Sequence, residues 1–142
     1  MLSPRLAAAV DALPLAPGLR VLEIGCGPGP AAREVARRVG PDGFVLGIDR
    51  SPQAVNAARR AAIAGGFGPD RLDFDCSAIE DFDLGARIPF DVAFALRVGA
   101  LDGRHPDLYD AAVGAVARAL RPGGVLLVDG GDPLRRIELP AS

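Results

Sequence analysis

The amino-acid sequence predicts an α/β fold with a doubly wound, mostly parallel sheet, and three observations lead to this prediction. Short apolar stretches alternate with stretches of helical spacing along most of the 142 residues. The apolar stretches are continuous, as in strands that are covered on both faces. Turn signals built on glycine and proline separate the two kinds of stretch. The length fits one domain, residues 1–142, with a core of its own.

The first predicted element is a helix within residues 1–14. Ser3 is suited to cap this helix, Pro4 is suited to its first turn, and Pro14 ends it. Further helices are predicted at residues 31–39, 51–64 and 106–120. Strands are predicted at residues 20–24, 44–48, 72–76, 90–96 and 125–128.

The connections are predicted from their polar and glycine content. Residues 79–88 are acidic and irregular, residues 97–104 form a polar connection after the fourth strand, and residues 121–124 form a turn. Residues 130–142 are expected to be an irregular tail, in which residues 136–139 could add a short edge strand. Ligands of doubly wound sheets bind at the carboxyl ends of the strands. We therefore expect a site in the loops after strands one to four.

Composition and charge exclude several functions. The 16 basic residues are all arginine, so no lysine is available for Schiff-base or P-loop chemistry. A formal net charge of −2 provides no basic field for a nucleic-acid backbone, and no nucleic-acid partner is expected. No apolar run approaches the roughly 18 residues that a membrane span needs, so no membrane partner is expected either.

Cysteine and histidine usage indicates neither disulfides nor a metal. Cys26 and Cys76 are too few for a disulfide framework, and both are expected to be small buried fillers. His105 is the single histidine, and no paired spacing of cysteine or histidine indicates zinc, so no metal site is predicted. Residues 1–14 lack the uninterrupted apolar region of a signal peptide. The expected compartment is the cytoplasm, where thiols stay reduced.

The loop after the first strand carries Gly25, Gly27 and Gly29 between a strand and a helix. Glycine lets a chain turn sharply and lets a ligand press against bare backbone; a tight connection without a ligand is the alternative. Glu23 lies in the otherwise apolar strand, where an ionised carboxylate is costly without a partner. The ammonium group of a ligand would be such a partner.

This loop differs from a dinucleotide-binding loop. The spacing G-x-G-x-x-G would place a third glycine where Pro30 stands. Pro28 and Pro30 also remove two backbone N–H donors that a pyrophosphate would need. The loop therefore favours a ligand without phosphate, and an NAD-dependent oxidoreductase is the more remote alternative.

Asp49 stands at the end of the second strand, where the same fold class often carries an acidic residue. A carboxylate there can accept hydrogen bonds from both hydroxyls of a ribose. The alternative is that Asp49 only caps the following helix, together with Ser51.

Five segments in order resemble the motifs of class I S-adenosylmethionine-dependent methyltransferases. V-L-E-I-G-C-G-P-G at residues 21–29 resembles the first motif of that family, and G-I-D-R-S at residues 47–51 resembles the second. C-S-A-I-E-D at residues 76–81 is similar to the adenine-side segment after strand three. F-D-V-A-F-A at residues 90–95 resembles the strand-four motif, and L-R-P-G-G at residues 120–124 resembles the turn into strand five.

The resemblance implies a sheet of order 3-2-1-4-5, with the family's C-terminal strands six and seven short or absent. It also implies a site for S-adenosylmethionine, with S-adenosylhomocysteine as the product. The cofactor-binding residues implied in this way are Glu23, Gly25, Cys26, Gly27, Asp49, Arg50, Ser77, Ala78, Ala95 and Leu96. The backbone of Gly25 and Gly27 would contact the methionine part, and Glu23 would lie near its ammonium group.

The resemblance assigns the nucleoside part of the cofactor to the next loops. Asp49 would hold the ribose hydroxyls, with Arg50 beside the adenine. Ser77 would stand where an aspartate often bonds the adenine amino group, and the N–H of Ala78 would face an adenine ring nitrogen. Residues 95–96 would line the pocket.

Catalysis of methyl transfer requires mainly that an acceptor be aligned, because the reaction is an in-line displacement at carbon. A general base is needed only when the acceptor must lose a proton. His105 and Arg97 are the candidates for catalytic residues. His105 could act as a base near neutral pH, or be an exposed loop residue. Arg97 could orient an acidic acceptor, or pair with Asp102 or Asp107.

The sequence thus predicts a methyltransferase that acts on a small-molecule acceptor. The Asn-Pro-Pro-Tyr type segment of many amino-group methylases is absent after strand four, where residues 95–98 read A-L-R-V. A non-catalytic or partner-dependent S-adenosylmethionine-binding module is the first alternative, since the family usually continues with a helix and two more strands. An open edge at strand five would be a pairing hazard. The tail, a second copy in a homodimer, or a partner subunit is expected to cover it.

Overall fold

The computed structural model describes residues 2–140. Its strands are β1 (Arg20–Ile24), β2 (Phe44–Asp49), β3 (Leu72–Cys76), β4 (Phe90–Ala95), β5 (Leu120–Asp129) and β6 (Leu134–Ile137). They form one sheet of order β3-β2-β1-β4-β5-β6. Strands β1 to β5 pair in parallel, and β6 pairs antiparallel to β5. The predicted doubly wound sheet of order 3-2-1-4-5 is confirmed, with a short sixth strand and no seventh among the described residues.

Helices cover both faces of the sheet. They are α1 (Pro4–Asp11), α2 (Pro30–Val39), α3 (Pro52–Ala64), α4 (Gly99–Asp102) and α5 (Tyr109–Ala119), with 3₁₀ turns at Ile79–Asp81 and Pro106–Leu108. One apolar cluster joins α1, α2 and α3 to the sheet, and a second joins α4 and α5 to the opposite face. Because β1, β2 and β4 are buried on both sides, their apolar residues run almost continuously, as the sequence predicts. The strand β3 at the edge of the sheet instead alternates buried and half-buried residues.

Two helices begin at the caps that the sequence predicts. The Ser3 hydroxyl accepts a hydrogen bond from the N–H of Leu6 at the start of α1. The Ser51 hydroxyl accepts one from the N–H of Ala54 at the start of α3. Proline follows each cap at a position where its missing N–H would have no helical partner.

The segment from Pro106 to Leu120 was predicted as one helix, and this boundary is wrong. Pro106–Leu108 is a 3₁₀ turn, and α5 begins at Tyr109. The turn predicted at residues 121–124 lies inside the span of β5. Phe90 pairs with Leu120 whereas Val92 pairs with Val125, so the intervening residues bulge out of the ladder.

The far end of β5 is covered by the tail. β6 pairs with β5 from Leu126↔Ile137 to Asp129↔Leu134. The tail was expected to be irregular with a possible strand at residues 136–139, and the strand instead begins two residues earlier, at Leu134. Ile137 is buried against the sheet, which accounts for the docking of this segment. Within residues 2–140, no helix has the length and apolar character that crossing a bilayer requires.

Candidate functional site

A cleft of about 280 Å³ opens where β1, β2, β3 and β4 end. This is the point at which the strand order reverses around β1, where doubly wound sheets bind ligands. Seven residues predicted for the site line this cleft: Gly25, Asp49, Arg50, Ser77, Ala78, Arg97 and His105. The remaining lining residues are Ile24, Ile79, Glu80, Val98, Gly99, Ala100, Arg104 and Leu108.

The glycine loop turns back over the end of β2. The N–H groups of Gly25 and Cys26 both donate to the carbonyl of Ile48, at 2.8 and 3.0 Å. Gly27 has a φ of 55°, and a Cβ built on it would meet no protein atom within 4 Å. Packing within the chain therefore leaves space beside Gly27, where a ligand could approach bare backbone. A Cβ at Gly25 would instead lie 2.7 Å from Cγ2 of Val98.

Asp49 holds this loop and the start of α3 together. Its Oδ2 accepts a hydrogen bond from the N–H of Gly27, and its Oδ1 accepts one from the N–H of Ser51, both at 2.9 Å. Asp49 therefore does cap the start of α3, which was the alternative to a ribose-binding role. A carboxylate has about four lone-pair sites, so two remain for hydroxyl donors in the cleft.

Ser77 presents an oxygen that can only accept. Its hydroxyl donates to the carbonyl of Ala78 at 2.8 Å, which engages its one hydrogen. The lone pairs of Oγ are then the polar feature that Ser77 offers to the cleft. An amino group on a ligand would match this acceptor. The N–H of Ser77 itself donates to the carbonyl of Asp49 at 2.9 Å, which fixes the loop after β3 against β2.

Glu23 is the one buried charged residue among those described, with 4% of its surface exposed. Its Oε1 has no hydrogen-bond partner. Burial raises the pKa of the Glu23 carboxyl to about 8, although the backbone N–H of Ala32 acts in the opposite direction. A cation that reached this carboxyl would satisfy it, as the sequence predicts for an ammonium group.

Five of the cofactor-binding residues that the resemblance implied are not among those that line the cleft: Glu23, Cys26, Gly27, Ala95 and Leu96. Cys26 is buried, and burial raises the pKa of its thiol. Ala95 is buried at the end of β4, and Leu96 packs into the core on the α2 side. The side chain of Cys76 is exposed rather than buried, so its predicted role as a core filler is wrong. Its position at the very end of β3 places it outside both apolar clusters.

The wall on the β4 side is built by residues 97–108, of which the sequence predicts residues 97–104 as a polar connection. It contains α4, and it places Val98, Ala100 and Leu108 along the cleft beside Arg104 and His105. The His105 ring lies against Gly99, where an added Cβ would clash with Cδ2 of the ring. Sequence reasoning selected Arg97 and His105 but missed the others. The apolar spacing of Ala100 and Leu101 before a glycine was the signal for a short buried helix.

Arg97 is held in an unusual backbone conformation. Its φ of 58° is the one positive value at a non-glycine residue among those described. Its N–H donates to Oδ1 of Asp129 at 3.2 Å, and its carbonyl accepts from Nη2 of Arg104 at 2.7 Å. Asp102 pairs with Arg104 at 2.8 Å, not with Arg97. Among residues 2–140, no cluster of three His, Cys, Asp or Glu side chains is arranged to hold a metal ion.

Sequence comparison relates this architecture to known proteins. A family model described as a methyltransferase domain matches residues 21–124. Nocamycin O-methyltransferase from Saccharothrix syringae is 37% identical over 117 residues, which are 82% of this chain and 39% of that protein. A ubiquinone biosynthesis O-methyltransferase from Bradyrhizobium sp. (strain ORS 278) is 35% identical over 111 residues, 78% of this chain and 39% of that protein. The chain spans about two fifths of the length of these relatives.

Solved structures share the fold. A SAM-dependent methyltransferase from Geobacter sulfurreducens in complex with S-adenosyl-L-homocysteine matches with a TM-score of 0.69 and 28% identity, covering 89% of this chain and 48% of that one. The [4+2]-cyclase SpnF matches with the same TM-score of 0.69 and 31% identity, covering 87% of this chain and 42% of that one. One neighbour is therefore named for a cyclisation, and the fold alone does not fix the reaction.

Proposed function

Because the chain belongs to the family of class I S-adenosylmethionine-dependent methyltransferases, we propose that it binds S-adenosylmethionine in the cleft and transfers the methyl group to a small-molecule acceptor. The observation that carries this proposal is that Asp49 and Ser77 line one cleft and that Asp49 holds the backbone of Gly27, while Glu23 is buried nearby in β1 with an unpartnered oxygen. Each offers the kind of group that one part of this cofactor needs.

The residues present fit the cofactor part by part. The unpartnered Oε1 of Glu23 suits the methionine ammonium group, and the open side of Gly27 suits its chain. The free lone pairs of Asp49 suit the ribose hydroxyls, with Arg50 beside the adenine. The acceptor oxygen of Ser77 suits the adenine amino group, and the N–H of Ala78 suits a ring nitrogen.

When bound, S-adenosylmethionine supplies an electrophilic methyl group on a positively charged sulfur. The chain's task is then to hold an acceptor in line, which the β4-side wall of Val98, Ala100 and Leu108 would do by contact and by exclusion of water. His105 lies in the same wall. For an acceptor that must lose a proton, its ring is the group that would take it.

Two O-methyltransferases among the relatives support a small-molecule acceptor. We infer no nucleic-acid partner, since the net charge of −2 supplies no basic field. A cytoplasmic location and a homodimer both stay predictions of the sequence.

The test is calorimetric titration of the purified chain with S-adenosylmethionine and with S-adenosylhomocysteine, with NAD as the control ligand. We expect saturable binding of both adenosyl ligands and no heat from NAD. Absence of adenosyl-ligand binding would overturn the proposal. Binding without methyl transfer to any member of a small-molecule panel, followed by transfer once a partner protein is added, would favour the alternative of a partner-dependent module.

A further inference from the structure

The charged residues that line the cleft are distributed unequally between its two sides. The two carboxylates, Asp49 and Glu80, follow β2 and β3, and the cation Arg50 lies next to Asp49 after β2. The cations Arg97 and Arg104 follow β4, together with His105. In the strand order, β1 separates β2 from β4. With neighbouring strands about 4.8 Å apart, β2 and β4 are roughly 10 Å from each other.

Only one cation of the basic side is without an internal partner. Arg104 donates to both carboxylate oxygens of Asp102 and to the carbonyl of Arg97. Within residues 2–140, no carboxylate lies within 4.0 Å of the Arg97 guanidinium, although Asp102 and Asp107 are close in sequence. The carboxylate of Asp129 accepts a hydrogen bond from the backbone N–H of Arg97 and does not pair with its guanidinium. The Arg97 side chain thus lines the cleft as an exposed, unpaired cation.

The backbone of Arg97 is fixed at a cost. A left-handed conformation is unfavourable for a residue with a side chain, because its Cβ comes too close to the following carbonyl oxygen. Here it is held from both sides, by Asp129 at the N–H and by Arg104 at the carbonyl. Strained positions that the surroundings hold in this way are concentrated at ligand-binding sites.

We propose that Arg97 binds a carboxylate of the methyl acceptor, so that the acceptors of this chain are small organic acids. The inference rests on the proposed function for the identity of the other ligand in the cleft. A guanidinium presents paired N–H donors that match the two oxygens of a carboxylate. The apolar side chains of Val98, Ala100 and Leu108 on the same wall would contact the hydrocarbon part of such an acid.

The carboxylate could also come from the cofactor's own methionine part, and the experiment separates these sources. Wild type, Arg97→Asn and Arg97→Lys are titrated with S-adenosylhomocysteine and with 5′-methylthioadenosine, which lacks that carboxylate. Asparagine tolerates the left-handed conformation and removes the charge. Lysine keeps the charge but lacks the paired N–H donors of the guanidinium. Arg60→Gln, which removes an exposed arginine of α3 outside the cleft, is the matched control.

Acetate, benzoate and 4-hydroxybenzoate are then titrated by NMR into each variant, with and without saturating S-adenosylhomocysteine, beside the neutral 4-hydroxybenzamide. We expect at least one acid to bind wild type and Arg60→Gln with the same affinity. The same acid should bind Arg97→Asn at least tenfold more weakly and Arg97→Lys with an intermediate affinity. The amide should bind weakly and equally to all variants. Unchanged S-adenosylhomocysteine affinity in Arg97→Asn would place the carboxylate on the acceptor.

Three results would overturn the inference. The first is the absence of acid binding to wild type, and the second is equal binding to Arg97→Asn. The third is a selective loss of S-adenosylhomocysteine affinity in Arg97→Asn with 5′-methylthioadenosine affinity unchanged, which would assign Arg97 to the cofactor. Arg97-dependent acid binding by a chain that binds no adenosyl ligand would support the acid site while overturning the proposed function.

Discussion

The side chain of Asp49 and the backbone of Gly27 are joined by a hydrogen bond of 2.9 Å between Oδ2 and the amide nitrogen. The other carboxylate oxygen accepts from the N–H of Ser51. One side chain at the end of β2 therefore sets both the glycine loop and the start of α3. Any ligand that uses Asp49 also depends on the loop that Asp49 holds.

Replacement of Asp49 by asparagine is expected to weaken S-adenosylhomocysteine binding by about 1–3 kcal/mol. The amide removes the negative charge and one acceptor, so hydrogen bonds to hydroxyl donors are lost and the glycine loop is held less firmly. Calorimetric titration measures the affinity, and chemical denaturation measures the accompanying loss of stability.

Ser51→Ala is the matched control for Asp49→Asn. It removes the hydrogen bond from the Ala54 N–H and should destabilise the chain by about 1 kcal/mol, as loss of a helix cap does. It leaves the carboxylate in place, so the affinity should stay at the wild-type value. Wild-type affinity in Asp49→Asn would show that Asp49 acts in the fold alone.

Replacement of Glu23 by glutamine is expected to change how stability depends on pH. Burial raises the pKa of this carboxyl to about 8 in the folded chain, from an ordinary value of 4.5. Between these two values the unfolded chain releases a proton that the folded chain keeps, so the Glu23 contribution to stability falls as pH rises and levels off above about pH 8. Relative to Glu23→Gln, wild type should lose about 3 kcal/mol between pH 5 and pH 8.

Urea denaturation of both proteins across this pH range measures the difference. Parallel stability curves would mean that Glu23 is ionised in the folded chain. Wild type and Glu23→Gln also test whether the ammonium group of the ligand lies near Glu23, because a nearby cation favours the charged form of the carboxyl. The affinity of wild type for S-adenosylhomocysteine should rise from pH 6 to pH 8, and the Glu23→Gln affinity should change less.

Replacement of Gly47 by alanine is expected to destabilise the sheet by about 1–3 kcal/mol through overpacking. The added Cβ would lie 2.7 Å from Cδ1 of Phe74 and 3.0 Å from Cβ of Cys26, both in the core. Thermal and urea denaturation measure the loss. Gly114→Ala, inside α5, is the control: its Cβ would meet only the flexible end of Arg118 at 3.3 Å. It should stabilise the chain by about 0.5–1 kcal/mol, and equal effects at both positions would contradict the packing argument.

The two cysteines are expected to differ in reactivity. Cys76 is exposed, whereas Cys26 is buried and has a thiol pKa that burial raises. A thiol reagent such as Ellman's should label Cys76 in the native chain and Cys26 only after denaturation. Cys76→Ser should abolish native labelling and Cys26→Ser should leave it intact; the reverse pattern would contradict the burial of Cys26.

Sequence reasoning located the strands of the sheet because most of them are short apolar stretches next to a glycine or proline. β3 has the predicted bounds, Leu72–Cys76. The predicted bounds of helices and strands were wrong where tertiary packing determines them. The tail strand is set by the burial of Ile137 against β5, and four residues of local sequence do not reveal that register.

The site divides in the same way. Asp49 and Ser77 follow directly from strands, so their meeting at one edge was predictable from the alternation of elements. The β4-side wall depends on how α4 folds back, through hydrogen bonds such as the one from the His105 N–H to the carbonyl of Gly99. No sequence motif marks this folding back of α4. The left-handed backbone of Arg97 belongs to the same class, since it needs Asp129 from a distant strand.

The β4-side wall comes from one uninterrupted stretch of chain, whereas the opposite side is assembled from three separate loops. Residues 97–108 can therefore be replaced as one segment. Such a replacement would change the acceptor preference while the loops after β1, β2 and β3 stay the same. Such an exchange would need a carboxylate at position 129 to receive the backbone of the new segment, and it would need side chains that pack against Gly25 and the core as Val98 and Leu101 do.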